Sequence, residues 1–393
     1  MPSPLVVLSH LRWDFVYQRP QHVLSRLAAT RPVFVVEEPV HADGSPRLEA
    51  IDAALGVTVL RPHTPVGEPG FSDAQLDVVA PLVRRWAVET EALGACDAWV
   101  YTPLATPLLD AVEPRAVVYD CMDELSAFDH APAGLLDRER DLLGRADLVF
   151  TGGPSLYRAK KDRHSSVHCF PSSVDAAHFG QARPGAPALD EPADQRDLAH
   201  PRLGFFGVID ERLDRDVVAA LAAAHPEWQV VMVGPVVKID PAELPQAPNL
   251  HWLGGKTYDE LPAYLAGWDV CLLPFARNRS TEFISPTKTL EYFAAERPVV
   301  STPITDVADP YGDIVRLADT PAAFVGACEA ALDAGDADRQ RRTEAMRAVL
   351  ARTSWDATAA AMGRLLDAAS RAPSAHPPTP THSSTPARAT STL

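Results

Sequence analysis

Four residues in one short stretch have the types and spacing to hold a phosphorylated ligand. In Glu282-Phe-Ile-Ser-Pro-Thr-Lys-Thr-Leu-Glu291, Ser285, Thr287 and Lys288 gather around Pro286, and Glu291 follows one turn beyond. Pro286 suits the first turn of a helix, because its missing N–H is one that a helix start leaves unpaired anyway. The helix is expected to reach about Ala295 and stop before Arg297-Pro298, since the residue preceding a proline disfavours helical geometry. Free backbone N–H groups and the positive end of the helix dipole, with Lys288 beside them, would face an anion. Glu291 can share a face with Lys288 or Thr287, and its two oxygens suit a vicinal diol. Phosphate next to a diol is the chemistry of a nucleotide sugar. The plainer alternatives are a solvated Lys288 and Glu291, with Ser285 and Thr287 serving only as helix caps.

The surrounding elements must place that helix start at a ligand edge. Leu5–Ser9, Val33–Glu37, Val57–Leu60, Ala98–Tyr101, Ala116–Tyr119 and Leu148–Thr151 read as strands, with helical patterns at Gln21–Ala29, Ala74–Leu93, Gly134–Leu143 and Ser155–Arg163. Strands separated by helices imply a parallel sheet covered on both faces. Ligands of such sheets bind beyond the carboxyl ends of the strands, which singles out the loops Ser9–Pro20, Thr102–Pro107, Asp120–Phe128 and Gly152–Pro154. The alternation restarts with strands at Leu203–Ile209, Gln229–Val233, Leu250–Trp252, Val270–Pro274 and Pro298–Pro303. Helices are expected there at Asp214–Ala224 and Asp259–Leu265. The chain therefore divides into a Rossmann-like domain over 1–180, a linker over 181–200, a second Rossmann-like domain over 201–353 and a closing helix over 354–371. A Pro/Ser/Thr/Ala-rich tail over 372–393 is expected to be disordered. Two such α/β domains of parallel sheet would face each other across a central cleft.

Composition narrows the function. The chain has 393 residues, enough for two cores. A formal charge of −16 with no basic stripe argues against a nucleic-acid partner. No apolar run reaches the roughly 20 residues that span a bilayer, and no basic amphipathic stretch stands out. Five cysteines at scattered positions read as reduced core residues of a cytoplasmic protein, not as disulfides or a zinc site. A dinucleotide oxidoreductase is disfavoured, because neither opening strand is followed by Gly-x-Gly-x-x-Gly.

Phe170-Pro-Ser-Ser-Val-Asp175 with Phe179, and Glu291-Tyr-Phe-Ala-Ala-Glu-Arg-Pro-Val-Val300, taken in that order, resemble the signatures of the GT-B-fold glycosyltransferases of group 1, the family 4-like retaining class. The resemblance covers roughly residues 4 to 370. His10-Leu-Arg-Trp-Asp-Phe-Val-Tyr-Gln-Arg-Pro-Gln-His22 is similar to a bacterial subgroup that includes polysaccharide and teichuronic-acid biosynthesis enzymes. Three departures stand out. Ser172-Ser173 replace an Asn-Gly turn, Glu296 takes a glycine position, and the segment Trp13–Pro20 replaces a glycine-rich loop.

The resemblance implies transfer of a sugar from a UDP-, GDP- or other nucleotide-sugar donor to a glycan or lipid-linked acceptor, with no cofactor and no metal. It leaves peripheral membrane association open, at the inner face of the cell membrane. Glu291 would bind ribose. The family's second glutamate, separated from Glu291 by seven residues, falls on Phe283, so Glu282 can serve only if the loop absorbs one residue more. Charge builds on the leaving phosphate, which calls for preorganised cations. Lys288 is the first candidate and Arg212, in the loop that begins at Gly207, the second. The alternative for Arg212 is an ion pair with Asp210 or Asp216. Across the cleft, Asp123 and Asp120 lie just past a strand, where an acceptor could be held or deprotonated. Asp123 is the preferred of the two, with loop capping as its plain alternative. Trp13, Gln18 and Arg19 would line the acceptor side, although Trp13 reads equally well as core. His10 and His22 are read as structural. In the retaining class the leaving phosphate itself helps to take the acceptor proton, which suits a chain without an obvious base or nucleophile. Two other readings remain: a nucleotide-sugar 2-epimerase of the same fold, and a non-catalytic binding subunit.

Overall fold

A computed structural model describes residues 2–129 and 131–372. The tail expectation therefore falls, from residue 373 onward, outside the described residues. The first sheet is built from β1 (Leu5–Ser9), β2 (Val33–Glu37), β3 (Val40–His41), β4 (Arg47–Ala54), β5 (Val57–Thr64), β6 (Asp97–Val100), β7 (Val117–Cys121), β8 (Leu148–Thr151) and β9 (Val167–Cys169). Its order is β3-β5-β2-β1-β6-β7-β8-β9, with β4 added antiparallel on β5 and every other pairing parallel. The second sheet holds β10 (Arg202–Phe206), β11 (Gln229–Val233), β12 (Leu250–Trp252), β13 (Val270–Leu273), β14 (Val299–Ser301) and β15 (Arg316–Leu317). It is wholly parallel in the order β12-β11-β10-β13-β14-β15.

Period-two alternation sends each strand's apolar side chains to two separate cores. In β1, Val6 and Leu8 pack with Val79, Val83 and Leu142 on one face. Leu5 and Val7 pack with Val23, Leu24 and Trp99 on the other. The second sheet repeats the arrangement. Leu203 and Phe205 join Val217, Leu221 and Phe324, whereas Phe206 joins Cys271, Tyr292 and Phe293. Helix Asp336–Leu350 closes the second domain, and helix Trp355–Arg371 crosses back to cover the first. Trp355, Met362 and Leu366 are buried in the core that contains Leu5 and Val7. Trp355 stacks on His22 with centroids 4.8 Å apart, and Arg26 meets Asp356 at 2.5 Å.

Several expectations change. β4 has mostly exposed residues on both faces, so no apolar alternation announced it. The segment expected as a linker is packed down: Gln195 is fully buried, donates to the Tyr264 carbonyl at 3.0 Å and accepts from Trp268 Nε1 at 2.8 Å. Residues 258–266 form a short 3-10 turn and then helix Leu261–Ala266. All five cysteines are free, and all but Cys169 are buried. Among the described residues no helix is long and apolar enough to cross a membrane.

Two residues expected on the acceptor wall belong instead to the core. Asp120 at the end of β7 is fully buried, and Arg19, which opens helix Arg19–Leu27, is 3% exposed. The guanidinium grips both Asp120 oxygens, Nη2 to Oδ1 at 2.8 Å and Nε to Oδ2 at 3.2 Å, and donates to the Phe170 carbonyl at 2.6 Å. Trp99 Nε1 adds a bond to Oδ2 at 3.3 Å. A ligand cannot reach a pair enclosed in this way, so Arg19 and Asp120 are structural. Removing one member of a buried pair strands the other charge, a loss of about 3–5 kcal/mol. Arg19→Ala should therefore lower stability by an amount in that range, read from the urea midpoint at unchanged slope. A loss under about 1 kcal/mol, the level of an exposed pair, would contradict the assignment.

Candidate functional site

Pro286 is the N-cap of helix Thr287–Ala294, with extended backbone and no side chain capping the end. Neither Ser285 nor Thr287 acts as a cap. The Ser285 carbonyl instead accepts from Ser172 Oγ at 2.6 Å. Ser172 thus uses its hydroxyl where the family places an amide side chain, and neither Ser172 nor Ser173 has the positive φ that would call for glycine. No group among the described residues accepts from the backbone N–H of Thr287 or Lys288. The first turn therefore presents open donors, as the sequence led one to expect.

Lys288 reaches from this turn beneath the loop after β10. Gly207, at φ +141°, makes the passage: a Cβ there would stand 2.0 Å from Lys288 Cε and 2.5 Å from Nζ. The ammonium also sits 5.5 Å from the centroid of the Phe205 ring. Burial pushes Lys288 down to about 8, opposed by Glu291 and reinforced by the positive charge of Arg212. Glu291 is itself buried, and burial raises its carboxyl against the pull of Lys288. Among the described residues Lys288 makes no ion pair, so its charge stays available to a ligand.

Arg212 forms the ion pair that was its plainer alternative. Its guanidinium clasps Asp210, Nη2 to Oδ2 at 2.7 Å and Nε to Oδ1 at 2.9 Å, yet it still lies within the field of Asp123. The pair fixes the guanidinium in direction and leaves little net charge, so Lys288 carries the less compensated charge of the two. Asp123 comes from the opposing domain. Burial raises its carboxyl, with Arg212 the largest opposing influence. Phe128, from the same loop, lies against two cations of the second domain: Arg212 Cζ is 5.4 Å and Lys238 Nζ 5.1 Å from its centroid. Lys238 escaped sequence reasoning, and its signal would have been its place just beyond the carboxyl end of β11.

The acceptor-side loop behaves differently from its expectation. Glu37, fully buried, ties it down by accepting from the Trp13 amide at 2.6 Å, from Arg12 at 3.1 Å and from Arg61 at 2.9 Å. Trp13 is half-buried against the core, and Gln18 caps helix Arg19–Leu27 in a reciprocal arrangement with Gln21. What the loop shows to solvent is Asp14, Phe15 and Tyr17. Tyr17 meets Tyr258 of the second domain at 4.6 Å between centroids, and Tyr258 stacks on His178 at 4.2 Å. His22 is buried, as a structural residue would be, whereas His10 has a buried Nδ1 without a partner, and burial with Lys238 lowers it to about 4.

Glu282 does not stand beside Glu291. It is exposed and lines a recess with Arg277 and Arg279, whereas Phe283, in the family's glutamate place, packs on the first domain's core. Glu296 occupies its glycine position in the left-handed conformation at φ +55°, and Arg347 holds its carboxylate at 2.8 and 2.9 Å. Asp306 bridges the domains by accepting from the Ser155 amide at 2.9 Å. Gly153 permits this approach, because a Cβ there would fall 2.0 Å from Asp306 Oδ2.

Comparison with known proteins agrees with this architecture. Residues 200–334 match the family described as glycosyl transferases group 1. A protein of Bacillus subtilis (strain 168) named for teichuronic acid biosynthesis, the glycosyltransferase TuaH, is 26% identical over 286 residues, which cover 66% of this chain and 69% of that one. Among solved structures, a trehalose-phosphate synthase from Burkholderia vietnamiensis superposes with a TM-score of 0.67 at 14% identity, covering 94% of this chain and 99% of that one. The Anabaena HepE protein, solved with UDP and glucose, gives 0.66 at 14% identity and covers 93% and 100%. Sucrose-phosphate synthase from Thermosynechococcus elongatus gives 0.66 at 15% identity, covering 92% and 98%.

An anion at this helix start would select the charged form of Lys288. Affinity for a nucleoside diphosphate should therefore fall as pH rises through about 8, where the lysine loses its proton. Titration calorimetry across that range checks the slope, and Lys288→Met should abolish it. An identical slope in the variant would remove Lys288 from the role.

Proposed function

We propose, starting from the fact that the chain is a GT-B glycosyltransferase, that it transfers a sugar from a nucleotide-sugar donor to a glycan or lipid-linked acceptor during cell-surface polysaccharide synthesis. The observation that carries this reading is the unpaired Lys288 ammonium beneath Gly207, next to open helix amides and the buried Glu291. Glu291 holds the ribose diol, and Lys288 with the amides of Thr287 and Lys288 holds the diphosphate. Arg212, oriented by Asp210, closes the phosphate site from the loop after β10. The name of the Bacillus relative supports a polysaccharide product, and the HepE complex supports a nucleoside diphosphate on this fold.

In the proposed reaction an acceptor hydroxyl oxygen bonds to the anomeric carbon while the bond from that carbon to the diphosphate oxygen breaks. The hydroxyl proton passes to the departing diphosphate, on the same face of the sugar, so configuration is retained. Asp123 orients the acceptor hydroxyl from the facing domain. Burial raises its carboxyl, so the carboxylate accepts a hydrogen bond from that hydroxyl more readily. Work at the cytoplasmic face, with the nucleotide sugar as co-substrate and no resident cofactor, completes the reading.

A screen of nucleotide sugars for acceptor-dependent release of nucleoside diphosphate tests the whole proposal. With the active donor, Lys288→Ala should lower kcat by on the order of 10²–10³, the usual effect of deleting one preorganised donor to a developing charge. Turnover unchanged at saturating donor would sink the assignment. Incubation with donor alone should leave the sugar's configuration intact, and appearance of an epimer would favour an isomerase instead.

A further inference from the structure

A second recess lies on the ligand edge of the second sheet, apart from the donor phosphate site. The loops after β13 and β14 line an open recess of about 450 Å³, formed by Arg277, Asn278, Arg279, Thr281, Glu282 and Thr305 together with Pro303 and Ile304. That volume lies within the roughly 300–1,000 Å³ of small-molecule pockets. The carboxyl ends of adjacent parallel strands are where such sheets bind ligands.

The loop that carries the arginines is rigid. Asn278 caps the turn Arg279–Thr281, accepting from the Thr281 amide at 3.2 Å and from Ser280 Oγ at 2.7 Å, and donates to the Glu211 carbonyl at 2.9 Å. Thr281 Oγ1 donates back to the Ala276 carbonyl at 2.6 Å. The same turn packs against residues 125–127 of the first domain, just past Asp123. The turn that lines the recess therefore borders the first domain next to the loop of Asp123.

Charge gives the cavity its character. No acidic side chain among the described residues pairs with Arg277 or Arg279, both exposed, although Glu282 lines the same recess. Carboxylates are not scarce in a chain with 52 acidic and 36 basic side chains, so two neighbouring free arginines are not there for want of partners. Asp306, next to Thr305 of the recess, directs Oδ1 to the Ser155 amide instead. The donor diphosphate already has Lys288 and the helix amides. These guanidinium groups are thus free for a different anion, and their planar fork suits a carboxylate or a phosphate.

We propose that this cavity binds the anionic group of an acidic saccharide acceptor, with Arg277 and Arg279 as charge-reading residues and Asn278 as the residue that positions them. This rests on the transferase reading, and it adds the chemical class of the acceptor. Acceptor trials with the active donor test it, using a glucuronate-terminated oligosaccharide, its carboxyl-reduced neutral counterpart and a glucose 6-phosphate-terminated one. Arg277→Gln and Arg279→Gln should each raise KM for an anionic acceptor by roughly tenfold or more, the worth of a charge-assisted hydrogen bond, with donor KM and the neutral acceptor unaffected. The effect should shrink in high salt. Preference between glucuronate and phosphate identifies the anion. An equal loss on the neutral acceptor, or no loss on either anionic one, would overturn the proposal. If no acceptor supports turnover, the transferase reading fails by itself. Calorimetry of the glucuronate oligosaccharide then decides the cavity: binding to the double variant as tight as to the unmodified chain rules it out.

Discussion

The passage of Lys288 beneath residue 207 is the constraint on which the site depends. A lysine four carbons long must deliver its ammonium from one loop to the mouth of another, and only a residue without a Cβ leaves room. That geometry removes the ammonium from water, which lowers its proton affinity and simultaneously strengthens its pull on any phosphate. Glu291, one helical turn away, partly offsets the cost of burying the cation while its own proton affinity rises. Each member of the pair thus opposes the shift that burial imposes on the other.

The two domains meet through contacts that are polar at the hinge and aromatic at the rim. The Ser155–Asp306 and Ser172–Ser285 bonds lock loops at the base of the cleft. Tyr17, Tyr258 and His178 stack at its margin, and Phe128 lies under Arg212 and Lys238 within. Interfaces of this polar kind favour domain motion over rigid docking. Lys288 and Arg212 belong to one domain and Asp123 to the other, so their separation depends on how the two domains are set.

Much of this was legible in the chain. The parallel strands showed themselves because they are buried on both faces, and the helix at Pro286 because proline and the downstream Arg-Pro bracket it. Where reading failed, the missing information was three-dimensional. Arg19 and Asp120 are 101 residues apart, and no local pattern says that they neutralise each other inside the core. β4 is exposed along most of its length, so pairing with β5, not burial, defines it. Glu296 shows the converse: the family's glycine hinted at a left-handed backbone, and the chain keeps that backbone by anchoring the glutamate to Arg347. Glu282 and Phe283 differ by one position, and only the fold shows that the phenylalanine turned inward and the glutamate outward.

The helix Trp355–Arg371 carries a consequence for how the chain is made. It supplies Trp355, Met362 and Leu366 to the core around Leu5, Val7 and Trp99. Synthesis proceeds from the amino terminus, and domains tend to fold as they emerge. Here the first domain, although complete in strands by residue 169, lacks part of its hydrophobic cover until residues 355–371 have left the ribosome. The earliest-made domain is the last to be finished. A ribosome stalled within the second domain would therefore display an apolar face of the first, a surface for chaperones to hold until the returning helix displaces them.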